Sequence, residues 1–258
     1  MESTYFGLLK TFYITDIGKM RQLNQDYIFS SEGKVGNLSN VFIVADGMGG
    51  HNAGDYASHF AVDTIVGEIE NSFENNPVKI FDNAIKIANR KLIEKAGEDP
   101  KMFGMGTTLV AATIMGRYLQ VANVGDSRLY VVNDSGIKQI TRDHSLVEEM
   151  VRMGGIDRET AIASLDKNII TRAVGATDTV DVDFFQVELE PADIVLMCTD
   201  GLTNMASNDD IFRIVHEKSD LVTKAQKLVQ AANNNGGKDN ISVILIEPFA
   251  DSTRLTED

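Results

Sequence analysis

Four aspartates of this chain stand at the ends of apolar, strand-like runs. Asp46 and Asp200 each precede a glycine at the end of such a run. Asp126 follows a third run, and Asp239 comes just before a fourth, Ile241–Ile246. If these strands share one sheet sandwich, the four carboxylates can meet at one edge. Because clustered carboxylates repel one another unless protons or cations neutralise them, the spacing predicts a site for a hard metal cation.

The residue types favour Mg²⁺ or Mn²⁺ over zinc. The chain has four histidines, none of them in a His-x-x-His pair, and a single cysteine, Cys198. Zinc sites are built mainly from nitrogen and sulfur ligands, and Cys198 lies within an apolar run that indicates inert core packing. Asp46 is followed by Gly47, which has no side chain and lets its carbonyl turn toward a cation.

A pair of such ions would suit phosphoester hydrolysis. Ions about 3.5–4 Å apart can share a carboxylate and a water, lower the pKa of that water and neutralise an anionic oxygen. A phosphate monoester also needs a cationic clamp, and Arg21 offers a guanidinium that binds two phosphate oxygens at once. Taken singly, an Asp-Gly pair is more often a turn, and Arg21 is more often a solvated surface charge.

Two other polar motifs are better explained by structure than by chemistry. The segment Gly104–Thr108 contains two glycines but lacks the lysine of a phosphate-binding P-loop, so we expect close backbone packing there. Asp143 and His144 come just before Ser145, where a turn and a helix cap explain them better than catalysis does.

Composition limits the partners of the chain. Its 258 residues, 43% hydrophobic and 24% charged, fit one large soluble domain. A net charge of −14 argues against nucleic acid as a partner, because binding phosphates requires clustered Lys and Arg. No stretch approaches the roughly 18 apolar residues of a membrane span. The first ten residues also lack the features of a signal peptide, so we expect a cytoplasmic protein.

The order of elements predicts an α+β fold. Strands come first, then two helices that begin near Asn52 and at Pro77, then a four-strand meander over 107–141. A helix at Ser145–Met153, two strands, two helices and the final strand Ile241–Ile246 complete the order. Because strands and helices do not alternate regularly, we expect two antiparallel sheets with helices on their outer faces.

Eight segments of the chain resemble the bacterial type-2C, metal-dependent protein serine/threonine phosphatase family. In order, between Thr15 and Ser242, they read TDIGKMRQLNQD, VADGMGGHNAGDYAS, GMGTTL, VANVGDSRLY, ITRDHS, ITRAVG, CTDGLTNM and DNIS. One Asp-Gly pair alone would be weak evidence, but DGMGG, GDSR, TDGL and DN in this order are specific. The resemblance implies a four-layer αββα fold, a sandwich of two antiparallel β-sheets flanked by pairs of α-helices.

The resemblance also implies roles for individual residues. Asp46 would act in catalysis by bridging two Mn²⁺ or Mg²⁺ ions, and Gly47 would ligate through its carbonyl. Asp200 and Asp239 would complete the shell of the first ion. Asp126 would help to bind a third, weaker ion beside Asp200.

Three further residues complete the site that the resemblance implies. Arg21 would hold the substrate phosphate. Asp26 and Asn240 would orient ligands or waters without binding the ions themselves. The polar stretch after Gly154 would form a mobile flap over the site, at about residues 145–170.

Two positions depart from the pattern of many relatives. Gln25 stands where Glu is frequent, which weakens or removes one water-mediated acidic contact to metal. Met48 stands where eukaryotic members have a histidine proposed as the general acid. Methionine cannot donate a proton, so we expect a metal-bound water to protonate the leaving group, with His51 as a weaker substitute.

The sequence therefore predicts hydrolysis of phosphoserine and phosphothreonine in phosphorylated proteins, opposing a cellular serine/threonine kinase that would be among its partners. We expect a monomer with one catalytic domain over residues 1–248 and a polar tail at 249–258. The alternative is a catalytically inactive family member that acts as a binding module, although Asp46, Asp200 and Asp239 are all present. A metal-dependent nuclease or nucleotide hydrolase is disfavoured because no basic groove signal or nucleotide-binding loop is seen.

Overall fold

The computed structural model describes residues 8–50, 53–154, 157, 160 and 169–250. His51, most of the interior of the predicted flap and the tail from residue 251 onward therefore lie outside the described residues. Within the described ranges, the chain forms two β-sheets with helices on their outer faces.

The first sheet brings together strands from both ends of the described chain. Its strands are β1 (Lys10–Asp16), β7 (Arg128–Asn133), β8 (Gly136–Gln139), β10 (Ile194–Cys198) and β11 (Ile241–Glu247). They are antiparallel, in the order β1-β11-β10-β7-β8. Strand β11 thus lies between β1 and β10, and its entry loop reaches the loop that follows β1.

The second sheet is antiparallel as well. It contains β2 (Asp26–Ser31), β3 (Val41–Met48), β5 (Leu109–Met115), β6 (Tyr118–Val124) and β9 (Asp183–Glu188), in the order β2-β3-β5-β6-β9. A two-residue strand, β4 (Gly106–Thr107), pairs with the last residues of β3.

Helix pairs cover the outer faces of both sheets. Helices α1 (Ala53–Glu70) and α2 (Pro77–Glu98) share a buried core with the second sheet. A short helix, α3 (Leu146–Arg152), precedes β9, and α4 (Asp200–Thr203) follows β10. Helices α5 (Asn208–His216) and α6 (Leu221–Asn234) share a core with the first sheet. A third apolar cluster fills the space between the sheets, so the four-layer architecture is confirmed.

Local sequence explains where the helices begin. Pro77 occupies the first turn of α2, where its missing N–H costs nothing, and Asn76 caps that helix by accepting from the N–H groups of Val78 and Lys79. Ser207 and Asp210 form a reciprocal capping box at the start of α5. These caps fix the ends of helices on which the apolar residues then face the sheets.

The structure differs from one local prediction near the acids. We expected the strand to end at Ala45, before a turn at Asp46 and Gly47, but β3 continues to Met48, where β4 pairs with it. Asp200 follows the end of β10, as expected, and begins the short helix α4. None of the helices in the described part of the chain is both long and apolar enough to cross a membrane.

Candidate active site

The acidic residues predicted from the sequence do lie in one region, at an edge of the sandwich where both sheets contribute. Asp26 and Asp46 stand directly opposite each other in the β2–β3 pairing. Asp26 is buried, 4% exposed, and its Oδ2 accepts a hydrogen bond of 2.8 Å from Thr199 Oγ1. Since Thr199 follows β10 of the first sheet, this bond joins the two sheets beside Asp200.

The backbone of Asp46 is held on both sides. Its carbonyl accepts hydrogen bonds from Thr108 N–H at 2.9 Å and from Thr107 Oγ1 at 3.0 Å. Its own N–H donates to Thr108 Oγ1 at 3.0 Å, and that hydroxyl also bonds Ser127 Oγ at 2.8 Å. The position of Asp46 is therefore fixed by the strands that follow α2 and by the turn that carries Asp126.

Glycines allow the chain to pack closely around the acids. A Cβ atom at Gly47 would lie 1.9 Å from the carbonyl oxygen of Gly54, and one at Gly201 would lie 1.9 Å from that of Asn240. Any side chain at either position would force backbone apart, because real Cβ contacts are never that short. Glycine after Asp46 and after Asp200 is thus required by packing, whatever its part in the chemistry.

Asn240 attaches the loop that carries Arg21. Its Oδ1 accepts from Gln25 N–H at 2.9 Å, and its Nδ2 donates to the carbonyls of Ile17 and Leu23 at 3.0 Å each. Neighbouring Asp239 accepts from Asn240 N–H with Oδ1. A single amide therefore fixes both flanks of the Arg21 loop.

Arg21 reaches the acids from this loop. Its Nη2 donates to Asp239 Oδ2 at 2.6 Å, and the two side chains are 47% and 30% exposed. One face of the guanidinium is therefore anchored on the acidic centre while nearly half of the side chain remains open to solvent.

Electrostatics mark this group as the main concentration of uncompensated charge in the described residues. Burial, with repulsion from Asp200 and Asp239, raises the pKa of Asp26 to about 7. Burial likewise raises the pKa of Asp126 to about 7, with Asp200 adding repulsion. The pKa of Asp46 is raised well above its ordinary value by burial and then by four aspartates: Asp26, Asp200, Asp126 and Asp239. Burial and Asp239 also raise the pKa of Asp200.

The residues fit a hard cation by donor type and charge. Within the described part of the chain, Asp26 Oδ1 and Asp200 Oδ1 are buried oxygens without a hydrogen-bond partner. Such orphaned acceptors are costly in a protein interior and invite a bound ion or water. The described residues contain no group of three His, Cys, Asp or Glu side chains already arranged to hold a metal ion.

The two residues that depart from the family pattern also lie here. Met48 ends β3 opposite Gly106. The Gln25 side chain packs against the first turn of α1, where its Nε2 would lie 2.4 Å from a Cβ atom added to Gly54. Neither side chain carries a charge at this edge of the sandwich.

Sequence reasoning missed several residues that support the site. Thr199 and Thr108 were not singled out, although each bonds an acid or its backbone; a hydroxyl residue beside an acid at a strand end was the available signal. Asp143 was expected in a turn or cap. Ser145 is the cap of α3, while Asp143 pairs with Arg128 at 2.6 Å.

Comparison with known proteins identifies what the chain is similar to. The family model for protein phosphatase 2C matches residues 19–244. Serine/threonine phosphatase stp of Listeria monocytogenes serovar 1/2a is 39% identical over 243 residues, which cover 90% of this chain and 93% of that protein.

Two solved structures show the same architecture. Serine/threonine phosphatase Stp1 from Staphylococcus aureus is 34% identical with a TM-score of 0.86, over 96% of this chain and 99% of that one. The catalytic domain of serine threonine protein phosphatase PstP, in complex with 2 manganese ions, is 28% identical with a TM-score of 0.80, over 93% and 97% of the two chains.

Proposed function

This chain belongs to the protein phosphatase 2C family and is a protein serine/threonine phosphatase, and we propose that its acidic centre is where phosphoserine and phosphothreonine are hydrolysed. The observation that carries this proposal is the convergence of Asp26, Asp46, Asp126, Asp200 and Asp239, which come from distant parts of the sequence and raise one another's pKa values. Burying that much like charge is unfavourable unless cations neutralise it.

We infer that Asp46, Asp200 and Asp239, with the carbonyl of Gly47, hold two divalent ions, Mn²⁺ or Mg²⁺, and that Asp126 contributes to a weaker third. The family is metal-dependent, and the related PstP domain is described with 2 manganese ions. When bound, such ions lower the pKa of a water and neutralise the phosphoryl oxygens. The unpartnered oxygen of Asp200 supports its part in this ligand set.

Asp26 and Asn240 help to position the site without binding the ions. The Thr199 hydroxyl orients Asp26 through Oδ2, which leaves the buried Asp26 Oδ1 able to accept from a water. Asn240 fixes the Arg21 loop through three hydrogen bonds. Both therefore serve to hold geometry that the reaction requires.

Arg21 supplies the clamp for the substrate phosphate. A guanidinium has five N–H donors in a rigid fork, and one is used on Asp239. The remaining donors can bind two phosphate oxygens at once while the ion pair keeps the group in place. Met48 cannot supply a proton to the leaving seryl or threonyl oxygen, so that proton comes from water in the centre.

The proposal extends to the biological setting. We propose one catalytic domain over residues 1–248, acting as a monomer in the cytoplasm on phosphoproteins, with a serine/threonine kinase among them. The alternative, a binding module without activity, finds no support in the named relatives, and it would not need the acids retained here.

The proposal is tested by hydrolysis of a phosphothreonine peptide with and without Mn²⁺, comparing the parent with Asp200→Asn. We expect activity that requires the metal and falls about a thousandfold in the variant, equivalent to roughly 4 kcal/mol of transition-state stabilisation. Asp209→Asn, an exposed acid on α5, is the matched control and should match the parent. Equal rates in the parent and Asp200→Asn, or activity that survives metal removal, would disprove the proposed mechanism.

A further inference from the structure

His144 is a buried histidine beside the acidic centre to which the proposed reaction gives no role. It is 4% exposed and lies between β8 and α3. Burying an imidazole requires partners for its ring nitrogens. Those partners turn out to be the turn that carries Asp126 on one side and strand β9 on the other.

One ring nitrogen holds the turn before Asp126. The backbone N–H of Gly125 donates to His144 Nδ1 at 3.0 Å. The backbone N–H of His144 donates back to the Gly125 carbonyl, also at 3.0 Å. Gly125 adopts φ +105°, a conformation that side chains rarely allow, and an added Cβ would lie 2.7 Å from Thr108. The turn is therefore fixed between His144 on one side and Thr108, which binds the Asp46 backbone, on the other.

These bonds determine the tautomer of the ring. Because Nδ1 accepts from Gly125, it carries no proton, and the neutral ring must carry its proton on Nε2. Nε2 lies 3.2 Å from Asp183 Oδ2 and donates to it. Arg172 Nη1 donates to the other oxygen, Asp183 Oδ1, at 3.0 Å, and also lies 3.5 Å from His144 Nε2. Arg172 thus orients Asp183, Asp183 orients the imidazole, and the imidazole orients the Gly125 N–H.

The backbone of His144 is anchored separately from its ring. Its carbonyl accepts from Thr171 N–H at 2.8 Å, next to the Ser145–Ile170 bridge. A change of the His144 side chain therefore removes the ring contacts while the main-chain bonds remain.

We propose that His144 is a positioning residue, whose Nδ1 holds the Gly125–Asp126 turn so that the Asp126 carboxylate is presented to a cation in the acidic centre. This rests on the proposed function and adds to it the chain Arg172–Asp183–His144–Gly125. Outer partners that orient metal ligands are commonly needed for affinity. His144 itself touches neither substrate nor ion.

Two amide substitutions separate the two faces of the ring. Asparagine reaches about as far as Nδ1, so His144→Asn can still accept from Gly125 N–H but no longer contacts the Asp183 carboxylate. Glutamine reaches about as far as Nε2, so His144→Gln can still donate to Asp183 but no longer accepts the hydrogen bond from Gly125 N–H. His144→Leu loses both contacts, and Asp126→Asn gives the reference for loss of the carboxylate.

The readout is Mn²⁺ binding by isothermal titration calorimetry, after circular dichroism has shown each variant folded at the titration temperature. We expect His144→Gln and His144→Leu to raise the Kd of the weakest Mn²⁺ site about 10–100-fold. His144→Asn should raise this Kd by clearly less than about tenfold, because the bond from Gly125 N–H is kept. His216→Asn, an exposed histidine paired with Asp134, should leave the isotherm unchanged.

Several results would overturn the proposal. An unchanged isotherm in all three His144 variants would do so, as would Asn binding as weakly as Leu. If Asp126→Asn leaves the isotherm of the parent unaltered, Asp126 holds no cation and His144 has nothing to position, although phosphopeptide hydrolysis by the parent would keep the proposed function intact. A parent that fails to hydrolyse the peptide would instead reject the proposed function.

Discussion

Two clusters of buried charge lie within a few residues of each other and differ in how that charge is compensated. One is the acidic centre around Asp46. The other is the ion pair of Arg128 with Asp143. Arg128 donates to Asp143 from Nε at 3.0 Å and from Nη2 at 2.6 Å, and to Tyr130 Oη at 3.0 Å. Gln139 Nε2 adds another bond to Asp143 at 2.7 Å.

The two clusters show that burial alone does not mark a functional site. Burial acts to lower the pKa of the Arg128 guanidinium, but Tyr130 and Asp143 outweigh it and hold that pKa above its ordinary value. At Asp126, only two residues away, burial and Asp200 act in the same direction and raise the pKa. The Arg128–Asp143 pair is neutralised internally and serves the structure, whereas the acidic centre needs protons or cations to balance its charge.

The largest contrast is expected from removing one carboxylate of the acidic centre. Asp46→Asn should reduce hydrolysis of a phosphothreonine peptide about a thousandfold or more, because it removes the acid proposed to bridge the ions. Without metal at pH 8, the same variant should unfold at a higher urea concentration than the parent, because one source of repulsion is gone. Loss of stability together with loss of activity would instead mean that Asp46 is structural.

Removing one member of the Arg128–Asp143 pair should have the opposite effect on stability. Arg128→Met leaves Asp143 without its cation, and we expect a loss of about 3 kcal/mol in unfolding free energy, the low end for buried pairs because both side chains keep some exposure. Urea denaturation followed by circular dichroism at 222 nm suits a chain without tryptophan. The double variant Arg128→Met, Asp143→Leu should recover part of the loss. An unaffected midpoint would show that the pair contributes nothing.

The last contrast is expected from pH. Asp26 and Asp126 have folded pKa values of about 7 against 3.8 for free aspartate, so the folded state binds more protons between these values. Without metal, the stability that these two groups contribute is therefore fully present below pH 3.8 and is lost as pH rises through about 7. Since metal ions bind the ionised carboxylates, saturating Mn²⁺ should abolish or reverse this decline. Urea midpoints at pH 5, 6, 7 and 8, with and without Mn²⁺, would test the decline of stability with pH and the effect of metal on it.

Much of the fold followed from periodicity and turn residues. Helix α2 was expected to begin at Pro77, and it does, because the apolar stripe and the proline agree. The final strand was expected at Ile241–Ile246 and extends to Glu247. The convergence of the acids was also foreseen, since strand ends of one sandwich meet at its edges.

What the sequence could not supply was long-range bonding. The extension of β3 through Gly47 and Met48 depends on a partner, β4, that lies about sixty positions further on, and two residues carry too little pattern to indicate a strand. The Thr199–Asp26 bond joins positions separated by 173 in the sequence. The role of Asp143 depends on Arg128 across a hairpin, so a local interpretation as a cap was the natural error.

The place of β11 between β1 and β10 has a consequence for synthesis on the ribosome. A nascent chain that has not yet released residues 241–247 lacks the strand that joins two parts of the first sheet, and Asp239 and Asn240 emerge just ahead of it. The first sheet therefore cannot reach its observed strand order until residues 241–247 have left the exit tunnel. A chain that stops before Asp239 lacks both this strand and part of the acidic centre, so we expect it to be inactive.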